Sequence, residues 1–208
     1  MTGLQTSFLL FLFGLSSLTS VAWSQSMSSA SLEKCLDKSQ ALPDRFVACR
    51  SAAEEGFPDA QVHLGDLYDW AHVYPQGAGI PDDDTEAVRW YRMAAELGDA
   101  MSQQRLGDMY ADGRGVPEND MEAVKWYRLA AEQGYDRAQL DLGDMFIRGE
   151  GVPGDYVQAY VWYNLAAAQG NEEAALKKDK LAKWMTRDQV QKAQSLSSDL
   201  FRRISGRQ

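Results

Sequence analysis

The sequence predicts an all-α protein built as an array of stacked helical hairpins, and three observations carry that reading. The first is Leu106-Gly-Asp-Met-Tyr110 with the glycine run Gly113-Arg-Gly-Val-Pro117 behind it. It recurs 36 residues later as Leu142-Gly-Asp-Met-Phe146 with Gly149-Glu-Gly-Val-Pro153, and 42 residues earlier as Leu64-Gly-Asp-Leu-Tyr68 with Gly77-Ala-Gly-Ile-Pro81. The second is Trp90-Tyr91, Trp126-Tyr127 and Trp162-Tyr163, each followed by an alanine pair (Ala94-Ala95, Ala130-Ala131, Ala166-Ala167). The third is a lone glycine closing each unit, at Gly56, Gly98, Gly134 and Gly170. A period in this range, marked by glycines and bulky apolar residues, is the signature of a repeat array.

At 208 residues, 45% hydrophobic and 25% charged, the chain has the composition of an ordinary folded protein. Its formal net charge is −9 and no run of lysines and arginines occurs. A nucleic-acid partner is not expected, because a binding surface needs a basic stripe to displace counterions. The same acidity disfavours anionic lipid and is compatible with basic or neutral partners.

Residues 1–24 carry no charged side chain, and Phe8-Leu-Leu-Phe-Leu-Phe13 opens an apolar run that fades near Ser16. The run is shorter than the ~20 apolar residues of a membrane span. Ala22-Trp-Ser24 places small residues where a signal peptidase reads them, before Gln25. Residues 1–24 are therefore expected to be a signal peptide, lacking only the basic n-region, with a retained membrane anchor as the alternative. The expected location is periplasmic or secreted, with no stable membrane span once the signal is cleaved. No cysteine at the cleavage site suggests a lipoprotein.

Residues 25–56 read as an N-terminal cap and half repeat. Ala41-Leu-Pro-Asp44 reads as a helix breaker between Cys35 and Cys49. If the flanks form a hairpin turning near Leu42, each cysteine lies seven residues from the turn and the two face each other. In an oxidising compartment they are expected to form a disulfide; the alternative is two buried thiols. Without a matching histidine pair they make no zinc site. Residues 46–56 align with 88–98, with Ala48-Cys49 in place of the Trp-Tyr pair, as befits an atypical terminal unit.

Three full units follow, over 57–98, 99–134 and 135–170. In the third, Ala138, Leu142, Met145 and Phe146 follow the i, i+4, i+7, i+8 spacing of one helical face. The Gly149–Pro153 loop stops that helix, since glycine supplies a left-handed cap and proline cannot continue the helix. A second helix near Tyr156–Gln169 puts Ala159, Trp162, Tyr163 and Ala166 on one stripe. One hairpin cannot bury such a stripe, and stacking completes the core. Gly107 and Gly143 sit inside helices at a cost of about 1 kcal/mol against alanine, which points to close helix approach under the aromatic rings. Residues 171–204 read as C-terminal capping helices. Thr186-Arg-Asp-Gln189 is a capping box opening a last helix to about Arg202, with Val190, Ala193, Leu196 and Leu200 facing the array.

These motifs closely resemble the Sel-1-like repeat family, relatives of the tetratricopeptide repeats. The resemblance rests on Ala-Gln-x-x-Leu-Gly (Ala60 to Gly65, Ala138 to Gly143), Gly-x-Gly-Val-Pro, Trp-Tyr-x-x-Ala-Ala and the closing Gln-Gly, and covers residue 46 to about 200. Ser102 and Leu97 depart from it. The resemblance implies an α/α solenoid whose first helices line a concave face. It also implies an adaptor role in a family whose bacterial members are often exported, and the leading expectation is an exported, non-enzymatic module that holds a protein or peptide.

No catalytic constellation, metal-ligand pattern or cofactor motif stands out. His63 and His72 are the only histidines, and the Gly-x-Gly loops lack the Lys-Ser/Thr of a phosphate cradle. Asp82-Asp-Asp84 lacks the spacing of a calcium loop and suits a helix N-terminus. Two features exceed a scaffold's needs. Asp66, Asp108 and Asp144 form a possible acidic ladder, serving either structural hydrogen bonds or a basic peptide. The first unit also carries a surplus around Trp70, His72 and Tyr74, since Gly65 to Gly77 spans 12 positions and Gly107 to Gly113 spans 6. Insertions in repeat arrays often map to the binding face, and these are hot-spot residue types, although Trp70 and Tyr74 could instead cover the edge of the core. The six residues are the candidate partner-binding set. Cysteine-rich members of the resembled family bring in a β-lactam-binding or hydrolysing enzyme as an alternative. Here its support is one Ser-x-x-Lys, Ser31 to Lys34, without a Lys-Thr-Gly companion. A passive cell-envelope component is the third reading.

Overall fold

The computed structural model describes residues 30–73 and 79–206. The expected signal peptide and Tyr74 lie outside them. Among the described residues there are ten α-helices: α1 (residues 30–36), α2 (Leu42–Glu54), α3 (Pro58–Asp69), α4 (Asp84–Glu96), α5 (Ala100–Asp112), α6 (Asp120–Glu132), α7 (Asp136–Arg148), α8 (Tyr156–Ala168), α9 (Glu172–Ala182) and α10 (Arg187–Ser205). From α2 to α9 each helix packs on the next in sequence, so every first helix (α3, α5, α7, α9) abuts the second helix of the unit before it. The last helix departs from this order and returns to pack on α8. The chain is an α/α solenoid.

Local chemistry starts and stops the helices. Asp83, Asn119 and Asp155 cap the second helices by accepting hydrogen bonds from backbone N–H groups of the first turn. Left-handed Gly113 and Gly149 end α5 and α7, their N–H groups donating to the carbonyls of Met109 and Met145. Thr186 and Gln189 form the capping box that opens α10. Pro43 does not break a helix: it lies in the first turn of α2, where its missing N–H has no intrahelical partner to lose. The turn between α1 and α2 falls earlier, at residues 37–41. Cys35 and Cys49 are joined by a disulfide across it.

Small residues at the interfaces let the helices approach. Ala94, Ala95, Ala130, Ala131 and Ala166 are buried, and so are Trp90, Tyr91, Tyr127, Trp162 and Tyr163. Each such aromatic contributes about 1.5–3 kcal/mol of burial. The tyrosine rings lie directly on the mid-helix glycines. A Cβ on Gly65, Gly107 or Gly143 would come within 2.7, 2.5 and 2.5 Å of Tyr91, Tyr127 and Tyr163 ring carbons. Between units the loop glycines do similar work. A Cβ on Gly115 would lie 2.2 Å from the Asp84 carbonyl oxygen, and one on Gly151 would lie 2.3 Å from that of Asp120. Each loop therefore rests on the first turn of the preceding unit's second helix.

The cap differs from expectation. On α10 the buried residues are Ala193, Ser197 and Ile204, with Val190 and Leu200 half-buried; Leu196 is 37% exposed. A stripe advancing by three and four residues from Val190 passes through 193, 197, 200 and 204 and leaves 196 to one side. Ser197 is buried because its hydroxyl accepts from Asn164 Nδ2 at 2.9 Å. The helix continues to Ser205 because Ile204 reaches the core.

A buried glutamine row stitches the hairpins. Gln103 Nε2 donates to the Ala95 carbonyl and Gln139 Nε2 to that of Ala131, both at 3.0 Å. The closing glutamines of the same units then donate to them, Gln133 to Gln103 at 2.7 Å and Gln169 to Gln139 at 2.9 Å. In the first unit the closing position is Leu97, 65% exposed, and the buried Oε1 of Gln61 has no partner.

Two stability predictions follow from these contacts. Gly107→Ala should destabilise by about 2–3 kcal/mol in chemical denaturation despite alanine's higher helix propensity, because the added methyl displaces the Tyr127 ring. Leu97→Gln should stabilise by about 1 kcal/mol by supplying the donor Gln61 lacks; an unchanged denaturation midpoint would count against that account.

Candidate functional site

Each mid-helix glycine is followed by an aspartate, and each buried tyrosine reaches it. The hydroxyls of Tyr91, Tyr127 and Tyr163 donate to Asp66, Asp108 and Asp144 at 2.7, 2.8 and 2.5 Å. The glycine admits the ring, and the aspartate one position on receives its hydroxyl. Burial, then the facing carboxylates and their hydrogen bonds, push the tyrosine hydroxyls far above their ordinary range. Burial also raises Asp66 and Asp108, against the lowering effect of those hydrogen bonds. The acidic ladder thus has a scaffold role, while its members stay partly open to solvent on the first-helix layer.

Side chains of the next unit meet these aspartates. Arg105 Nε stands 3.8 Å from Asp66, and Lys177 Nζ donates to Asp144 at 2.6 Å. Asp141 holds the corresponding position in the third unit, 36 residues after Arg105 and 36 before Lys177. There the junction pairs two carboxylates. Gln104 Nε2 lies between them, 2.9 Å from each Asp108 oxygen and 2.8 Å from Asp141 Oδ2. Burial first and the charge of Asp108 second push Asp141 up to about 7, opposed by Gln104 and Lys177.

Trp70 caps α3 and is 45% exposed. The Arg105 guanidinium carbon lies 5.5 Å from its ring centre, so Trp70, Arg105 and Asp66 form one cluster at the first junction. Beside it, buried Asp69 pairs with Arg114. The backbone of His72 lies in the short 3-10 turn Ala71–Val73. Of the candidate set, Trp70 and Asp66 come together, whereas Asp108 and Asp144 each occupy a separate later junction.

Several residues of this layer escaped the sequence reading, among them Arg105, Asp141, Lys177, Lys180 and Trp184. Trp184, in the turn after α9, is 75% exposed and stands at the first-helix position of Trp70, Asp112 and Arg148. Extending the 36-residue shift past Gly170 would have found it, because Trp184 follows Arg148 by that interval. The cap lacks the Leu-Gly and Gly-x-Gly landmarks that make the shift visible. Elsewhere, Ser31 and Lys34 line one cleft of about 460 Å³ with Gln40, Asp44 and Ser51.

Stacked two-helix units, each closed by a buried glycine–tyrosine contact and presenting charge on one layer, define a helical-repeat scaffold. The Sel1 repeat matches residues 58–99, 100–135 and 136–171, more than half of the chain, and the protein belongs to the Sel1 repeat family. Sel1 repeats generally mediate protein interactions. Among solved structures, a protective antigen of uropathogenic Escherichia coli strains with an SLR fold matches with a TM-score of 0.70 at 30% identity over 79% of this chain. A Sel1 repeat protein from Oxalobacter formigenes matches with a TM-score of 0.58 at 35% identity over 63% of this chain. The matches cover 34% and 36% of those two chains, about a third of either. No curated protein matches.

The Asp108–Asp141 junction makes a pH prediction. Asp141 binds its proton more tightly folded than unfolded, so between about pH 4 and 7 the native state carries the extra proton and stability falls as pH rises. Asp141→Asn should remove that fall and raise the melting temperature at pH 8 by a few degrees. Equal melting temperatures of variant and parent across pH 5 to 8 would refute the carboxylate pairing.

Proposed function

We propose that this chain is an exported Sel1-repeat scaffold that holds a protein or peptide partner against its first-helix layer. The observation that carries the reading is the layer itself. Scaffold contacts fix its aspartates in place, while the positions around them change from unit to unit between cation, anion and exposed tryptophan. Such variation on a constant frame suits recognition of one partner. Export to the periplasm or the exterior is supported by the Cys35–Cys49 disulfide, because such bonds persist in oxidising compartments. The uncharged apolar stretch over residues 1–24 points the same way. Among the described residues no helix is long and apolar enough to cross a membrane. The cleft shared by Ser31 and Lys34 favours a second, enzymatic reading, in which a β-lactam would be bound or hydrolysed there. β-Lactam turnover abolished by Ser31→Ala would establish it in place of the scaffold.

Photocrosslinking amino acids at Trp70, Asp112 and Arg148, read by mass spectrometry in the source cell, test the scaffold reading. These positions line the same layer without disturbing the tyrosine–aspartate contacts. One dominant adduct shared by at least two positions is the expected result. Adducts at none of them would overturn it.

A further inference from the structure

The first-helix layer changes sign at its C-terminal end. At the position after the mid-helix glycine the three units carry Asp66, Asp108 and Asp144, whereas the cap carries Lys180, 36 residues after Asp144. Lys180 lines a cleft of about 320 Å³ between α7 and α9, and the cleft also holds Arg148 and Lys177. Its apolar surface comes from buried Tyr163 and Leu181, half-buried Ile147 and the exposed ring of Trp184.

Three cations thus face one carboxylate, Asp144, in a chain whose net charge is −9. Both oxygens of Asp144 are already engaged, one accepting from Tyr163 and the other from Lys177. Lys177 also meets Glu173 at 3.0 Å, and Arg148 pairs with Glu150. Lys180 has no ion-pair partner among the described residues. An uncommitted ammonium beside a bare indole, over an apolar floor, offers one charge-assisted contact and one aromatic anchor side by side.

We propose that this cleft is a binding site for a peptide segment in which an acidic residue adjoins an aromatic or large aliphatic one. The carboxylate pairs with Lys180, within the field of Lys177 and Arg148, and the neighbouring apolar side chain covers Trp184 and Leu181. The acidic centre of the layer repels such a segment, so charge complementarity confines it to this end. The inference rests on the scaffold reading and names the chemistry of the partner.

Selection of a random peptide library displayed on phage against the folded chain tests it, with the best enriched peptide carried into titration calorimetry. The expected result is enrichment of Asp or Glu next to an aromatic or aliphatic residue. Lys180→Glu and Trp184→Ala should each weaken the chosen peptide by about tenfold or more. A counterpart peptide with Lys in place of the acid should recover binding on Lys180→Glu, a charge swap that a folding defect cannot mimic. Both variants alter solvent-facing side chains, and unchanged melting temperatures confirm their folding. Enrichment of basic or uncharged peptides, no enrichment, or affinity indifferent to Lys180→Glu would overturn the proposal. Loss of peptide binding at high protein concentration through self-association would also overturn it, since the occupant would then be a second copy. If the cleft fails while crosslinks from Trp70 and Asp112 still converge on one partner, only this site falls. If those crosslinks fail too, the scaffold reading falls with it.

Discussion

The contact between a mid-helix glycine, the tyrosine ring laid on it and the aspartate that receives the hydroxyl is what the rest of this structure depends on. A glycine inside a helix costs about 1 kcal/mol against alanine, and this chain accepts it at Gly65, Gly107 and Gly143. In return the two helices of a unit approach until the ring touches backbone, and the aspartate keeps a buried phenol from being an unsatisfied donor. The arrangement sets the register of each hairpin. The second loop glycine then sets the register between units, because Gly115 and Gly151 press on the helix starts at Asp84 and Asp120.

A consequence reaches the surface. Asp66, Asp108 and Asp144 belong to the scaffold and to the exposed layer together, so their charge stands at fixed intervals along it. Differences between units are then written at the neighbouring positions. Arg105, Asp141 and Lys177 answer the aspartate ladder with a cation, a second carboxyl group and a cation; Trp70, Asp112, Arg148 and Trp184 place a tryptophan at each end of the row. The like-charged junction at Asp108 and Asp141 survives because Gln104 donates to both carboxylates and Asp141 holds its proton to about pH 7. Such a junction fits the fold without adding to its stability at neutral pH.

Where the chain departs from its own repeat, the structure shows the cost or the use. Leu97 in place of the closing glutamine leaves Gln61 Oε1 unpartnered in the core, a local loss the remaining contacts tolerate. Lys180 and Trp184 in place of the aspartate and of Arg148 bury nothing further, and they produce the cationic, aromatic cleft at the end of the array. A repeat protein is free to vary where packing does not constrain it, and this one does so on the first-helix layer.

The hairpin array was legible in the sequence alone, because helix period, glycine caps, the Trp-Tyr-x-x-Ala-Ala stripe and the Thr186 capping box are local signals with local physics. Pro43 is a local matter too, because proline suits a helix start for local reasons, and reading it as a breaker overlooked them. The local signals did not settle that Ser197 replaces Leu196 on the buried side of α10, since that turns on where α8 presents Asn164. Nor could they divide the aspartate ladder between structure and recognition: a row of aspartates at repeat spacing looks the same in either role, and only the position of Tyr91, Tyr127 and Tyr163 reveals the hydrogen bonds. Sequence determined what each unit is. Tertiary structure alone decided which side chains about 36 residues apart become neighbours, and so where Asp108 meets Asp141 and where Lys180 and Trp184 enclose a cleft, because those contacts exist only once the units stack.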